Sequence, residues 1–136
     1  MKFVIYNSLS LHPAFEAVDM EILREAFKFN ATHGITGFLY RCHQHYYQYF
    51  EGAADIIDDL LPRIAKDKRH TDFQVLQVDE ISSRRFTGWS MGYSRAASEL
   101  QNALLSPSSS AEAVRERLTL EAQKQRATHI PPQKKM

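Results

Sequence analysis

GITGFLYRCHQHYYQYFEG, residues 34–52, is the stretch on which the fold turns. Ile35 to Arg41 and His45 to Glu51 are short runs rich in β-branched and aromatic residues, joined by Cys42, His43 and Gln44. That separation suits an antiparallel hairpin, although the turn lacks an Asn-Gly pair. Each side of the hairpin is flanked by a helical pattern. Upstream, from about Asp19 to His33, apolar positions recur at Ile22, Leu23, Ala26, Phe27 and Phe29, the three-and-four spacing of an amphipathic helix, with Gly34 as its stop. Downstream, Ala53 to Lys66 carries Ile56, Ile57, Leu60, Leu61 and Ile64 on one broad face, and Pro62 is expected to kink it.

Further out, Phe3 to Ser8 reads as a strand that ends in a loop at Leu11, His12 and Pro13. Phe73 to Val78 and Phe86 to Tyr93 read as the fourth and fifth strands. The expected fold class is therefore α/β (α+β): a ferredoxin-like β-α-β-β-α-β-β sheet with two helices on one face, plus C-terminal helices. Beyond Ser94, Ala96 to Leu105 is expected to be helical and Ser106 to Ser110 a linker. A charged helix then runs from Ala111 to about Ala127, opened by a capping box of Ser109 and Glu112, and Ile130 to Met136 is expected to fray. Val114 and Leu118 form a thin apolar stripe on that helix, a candidate surface for a sister subunit.

The bulk numbers narrow the class. A chain of 136 residues with 43% apolar and 24% charged residues is sized for a single globular domain. A net charge of +1 gives no footprint for nucleic acid or an anionic membrane. Cys42 is the single cysteine, so no intrachain disulfide forms, and the apolar run Phe3 to Tyr6 is too short for a signal or a span. The expected location is cytoplasmic. Cys42, His43 and His45 crowd one turn without a second ligand pair, which argues for a solvated turn rather than a metal.

Several polar side chains fall on core-facing positions. Asn30 shares a helix face with Ile22 and Ala26, while Arg63 and Asp67 share one with Ile56, Leu60 and Ile64. Tyr6 stands on one strand face with Val4 and Ser8, and Gln48 on one with Tyr46 and Phe50. Singly, each has a plain explanation: a satisfied buried amide, an i, i+4 ion pair of Arg63 with Asp67, a strand-filling tyrosine. Together they match what a planar heteroaromatic ring wants between two helices: aliphatic groups on its faces, amide, guanidinium and carboxylate at its rim.

At these residues the chain resembles the BLUF family, sensors of blue light using flavin adenine dinucleotide (FAD). The resemblance is carried by IYNS at 5–8, Asn30 followed by GITG at 34–37, YQYFEG at 47–52, KDKRH at 66–70, RRF at 84–86 and GWSM at 88–91. It implies a flavin-binding domain over residues 1–94 and a helical extension with a frayed end over 95–136. It further implies that Tyr6 gives an electron and a proton to the excited flavin and that Gln48 bridges Tyr6 to the ring. Asn30, Arg63 and Asp67 would bond the ring's edges, and Ile22 and Ile64 would cover its faces. His70 would contact the cofactor or close the loop after the second helix, and Trp89 and Met91 would relay the signal.

FAD is the cofactor implied, with FMN or riboflavin as substitutes. The expected protein is a photoreceptor for signal transduction, not an enzyme: a homo-oligomer acting on a separate effector, because so short a chain leaves no room for an output domain. Phe29, where several relatives carry a polar residue, and Pro62, beside Arg63, depart from the pattern. Two rival readings stand beside this one. An acylphosphatase-type hydrolase is suggested by the glycine-rich run Gly34 to Arg41, although such a run should lead into a helix. A light-independent flavin-binding interaction module is the other.

Overall fold

The hairpin forms, and the sheet is built around it. In the computed structural model, which describes residues 1–12, 17–96 and 105–128, β2 (Thr36–Cys42) pairs antiparallel with β3 (His45–Gly52), Cys42 opposite His45. The turn is only His43 and Gln44, and His43 takes φ 58, the left-handed backbone that such a tight turn demands. Helix α1 (Ala17–His33) ends at Gly34 with φ 69, and Ile35 N–H closes back on the Asn30 carbonyl. Gly37 lets β2 and β3 approach, since a Cβ there would collide with the Tyr49 carbonyl.

Strand β1 (Lys2–Ser10) lies antiparallel between β3 and β4 (His70–Glu80), and β5 (Gly92–Arg95) joins β2 in parallel. The order β4-β1-β3-β2-β5, with α1 and α2 (Ala54–Ala65) in the two crossovers, is the expected ferredoxin-like sheet with one added strand. Side chains alternate between its faces. Val4, Tyr6 and Phe50 pack with Ile57, Leu60, Ile64 and Phe29 of the two helices. Phe3, Ile5, Phe38, Tyr47 and Tyr49 pack on the opposite face with Val114, Leu118 and Ala122 of the C-terminal helix α3 (Ala111–Thr128). Covered on both sides, β1, β2 and β3 are buried almost end to end, while the edge strand β4 stays largely open.

Four expectations are corrected. The Val114–Leu118 stripe is wholly buried against the chain's own sheet, so it offers nothing to a sister subunit. Phe86 to Tyr93 is not a strand: only Gly92–Arg95 pairs, because the buried Glu51 carboxylate captures the N–H groups of Arg85 and Phe86 at 2.8 Å and withdraws them from any ladder. Ser110, not Ser109, caps α3 through the Ala113 N–H, while Ser109 Oγ accepts from Ser106 N–H. Pro62 leaves α2 unbroken to Ala65, since so near the C-terminus it costs one intrahelical bond. Most of the helix expected over Ala96 to Leu105, and all of Ile130 to Met136, lie outside the described residues. Among the described residues no helix is long and apolar enough to cross a membrane.

Candidate functional site

Between helices α1 and α2, over β1 and β3, lies a cleft of about 240 Å³. Tyr6, Ile22, Asn30, Gln48, Arg63, Ile64, Asp67, His70 and Met91 all line it. Of the residues singled out above, Trp89 stands apart. It packs on the other core, edge-on to Phe38, with Arg126 of α3 lying 5.1 Å over its ring.

Tyr6 and Gln48 are direct partners in the β1–β3 ladder, so both project from the cleft-facing side. The Tyr6 hydroxyl donates to Gln48 Oε1, and the Gln48 amide nitrogen faces the Met91 sulfur at 3.5 Å. A phenol needs an acceptor and a thioether can only accept, which assigns the amide's orientation. Burial, with smaller contributions from Tyr46 and Asp67, pushes the Tyr6 phenol well above its ordinary value and keeps it a neutral donor.

His70 turns its ring edge-on to Tyr6 at 6.3 Å. Its Nε2 meets the Ile64 carbonyl at 2.7 Å, and its Nδ1 meets Ser8 Oγ at 2.6 Å. A carbonyl only accepts, so Nε2 carries the proton and Nδ1 accepts from Ser8 in the neutral ring. Both nitrogens are therefore engaged, which fixes the His70 ring beside Tyr6. Asn30 is buried and donates from Nδ2 to the Ser90 carbonyl at 2.8 Å, tying α1 to the loop that carries Met91.

At the rim, the Arg63–Asp67 pair suggested by i, i+4 spacing is not made. Asp67 binds Arg69 instead, and the Arg69 bond holds its carboxyl below the usual range. Arg69 also reaches Glu25 at 2.9 Å and Glu21 at 3.5 Å, strapping α1 to the loop after α2. Arg63 lies 4.9 Å over the Phe29 ring, and among the described residues no carboxylate pairs with it. Its donors remain available to a ligand.

Tyr46, Phe29 and Arg69 are cleft residues with no part in the expected site. The two-residue period places Tyr46 beside Gln48, and Arg69 lies inside the KDKRH run, yet neither spacing shows whom a side chain will bond. Arg41 ends the glycine-rich run that suggested a hydrolase. It is buried, and its Nη1 lies 2.9 and 3.1 Å from the two Asp19 oxygens. It presents no guanidinium to a phosphate.

The lining fits a flavin chemically: Ile22, Leu60 and Ile64 supply aliphatic surface, and Asn30, Gln48 and the uncommitted Arg63 supply amide and guanidinium groups. The volume of 240 Å³ falls just under the ~300–1,000 Å³ of ordinary ligand pockets and has room for a ring system, not a whole dinucleotide.

A family model described as sensors of blue-light using FAD (BLUF) matches residues 1–92. BlrB, a BLUF protein solved in its dark state, is 27% identical at TM-score 0.73, the match covering 90% of this chain and 96% of that one. BlsA in its ground state is 25% identical at TM-score 0.73 over 88% of this chain and 89% of that one. Klebsiella pneumoniae BlrP1, solved with FMN and cyclic diGMP, is 33% identical at TM-score 0.62, over 69% of this chain but 25% of its own. No curated protein sequence matches the chain. A cleft with this lining, on this sheet, joined to a family match over most of the chain, establishes that the chain belongs to the BLUF family of blue-light-sensing flavin proteins.

Proposed function

We propose that this flavin sensor switches through Tyr6 and Gln48 and delivers its signal to a separate effector protein. The observation that carries the reading is the chain of contacts from Tyr6 hydroxyl to Gln48 amide to Met91 sulfur on the cleft wall. A flavin bound there supplies, on absorbing blue light, a one-electron oxidant strong enough for a phenol. Tyr6 yields an electron and releases its proton into the Gln48 carbonyl. Once the electron and the proton have both returned to Tyr6, the Gln48 amide is left rearranged, as a rotamer or a tautomer, with its partners exchanged. Asn30, Arg63 and Asp67 hold the ring's edges, Ile22 and Ile64 its faces, and His70 braces the Tyr6 ring. FAD is the expected occupant, with FMN and riboflavin sharing the ring on which these contacts act.

Met91 and Trp89 flank the same short loop, one toward the cleft and the other toward α3. A change at Gln48 is felt at Met91 and passed through this loop to the helix beyond the sheet. Rearranged hydrogen bonds are worth ~0.5–1.5 kcal/mol net each, enough to bias an element whose two states differ by a few kcal/mol. An effector whose affinity changes with illumination follows. Reconstituted with FAD, the protein should show a flavin spectrum that shifts to the red under blue light and relaxes in the dark. Tyr6→Phe and Gln48→Ala should each hold the spectrum fixed, and an ordinary shift in both variants rejects these roles.

A further inference from the structure

Tyr46 is a buried phenol on the cleft wall that the switch above does not use. It is 3% exposed, and its ring lines the same cavity as Tyr6 and Gln48. It stands two residues from Gln48 on the same strand face, about 6.8 Å along the chain at ~3.4 Å per residue. Among the described residues these two, Tyr6 and Tyr46, are the tyrosines that line the cavity. Their hydroxyls face different acceptors. That of Tyr6 meets a neutral amide, while that of Tyr46 donates to Asp19 Oδ1 at 2.5 Å. Asp19 is wholly buried and ion-paired to Arg41 at 2.9 Å, with the Tyr93 hydroxyl 3.3 Å from its other oxygen.

Oxidising a buried phenol without moving its proton would leave a radical cation in low dielectric, beside an Arg41 guanidinium carbon 5.0 Å from the ring centroid. The Asp19 carboxylate can take that proton, which leaves the positive charge on Arg41, a guanidinium that also donates to the His12 and His43 carbonyls. We propose that Tyr46 is a second photochemical electron donor at this cleft, discharging its proton to Asp19. The proposal rests on the flavin-binding reading of the site. Tyr46 gives one electron to the photoexcited flavin, its O–H bond breaks, and the proton joins Asp19 Oδ1. The flavin is reduced by one electron, Tyr46 becomes a neutral phenoxyl radical and Asp19 a neutral acid. Return of the electron re-forms the O–H bond and restores the carboxylate. Because this proton travels away from Gln48, the route leaves the Tyr6–Gln48 bond intact and competes with signalling rather than producing it.

The test uses the full chain as parent, Tyr6→Phe, Tyr46→Phe and the double variant, each loaded with FAD. Flavin fluorescence in Tyr6→Phe should decay several-fold faster than in the double variant, and a tyrosyl radical frozen out under illumination of Tyr6→Phe should vanish from the double. Trp89 is common to both and cancels. Equal lifetimes in those two variants overturn the proposal while leaving the flavin reading intact; four colourless proteins overturn the flavin reading and the proposal with it. In the apoprotein, labelled tyrosine should give the infrared C–O stretch of a strongly donating phenol that Tyr46→Phe removes. Absence of that band contradicts the proton path independently of any cofactor.

Discussion

Gln48 is held between neighbours of unequal strength, a phenol that donates firmly and a thioether that accepts weakly. Its amide N–H would give up little on leaving Met91, while His70, bonded to Ser8, stands edge-on to the Tyr6 ring. The Arg41–Asp19 pair works oppositely, as a fixed point. Arg41 donates to the His12 and His43 carbonyls as well as to Asp19, joining the start of α1 to the β2–β3 turn. Removing one member of a buried pair strands the other, so Arg41→Ala should cost about 3–5 kcal/mol in urea unfolding of the apoprotein. A loss under about 0.5 kcal/mol, the size of an ordinary surface change, would show that water reaches Asp19.

The elements that position the site differ in how visibly the sequence declares them. Both crossover helices and the hairpin carry local signals, apolar spacing and glycine stops, and they form within a few residues of expectation. The loop from Ile81 to Met91 carries a misleading one. Phe86 is apolar and buried like a strand residue, but its backbone is claimed by Glu51, which is remote in sequence. Glu51 also accepts from Thr36 and Tyr49 hydroxyls at 2.8 and 3.1 Å, so Glu51→Ala would orphan several donors at once. The expected loss is about 3 kcal/mol, with the loop's amide exchange quickened; unchanged stability would mean that the loop holds itself. Burial of α3 was equally illegible, because Val114 and Leu118 alone do not say whose surface they cover. Leu118→Ala should cost about 2–5 kcal/mol by the same unfolding measurement, and a negligible loss would detach α3 from the core.

Across the molecule, one sheet separates a cleft face from a face covered by α3, and the loop reaches both, Met91 at the cleft and Trp89 in the core under α3. Periodicity put Tyr6, Ile22, Asn30, Gln48, Arg63 and Ile64 on core-facing positions that do line the cleft, but it says nothing of which of Met91 and Trp89 enters, since a loop has no period. All six tyrosines have phenols pushed upward, chiefly by burial, Tyr40 and Tyr46 to about 12 and the others further. The unfolded chain ionises its phenols near pH ~10, so this stability is fully present below that pH and is lost as pH rises through the folded values. The melting temperature should fall steeply above about pH 10, with phenolate absorbance appearing together with unfolding; phenolate appearing first, in a folded protein, would contradict this.

Exchange of the Gln48 amide's partners is most directly read by light-minus-dark infrared spectroscopy of the FAD-loaded protein carrying isotope-labelled glutamine. A glutamine side-chain carbonyl band that moves on illumination and returns in the dark, in step with the flavin's red shift, is the predicted result. A red-shifted flavin with every glutamine band silent would contradict it.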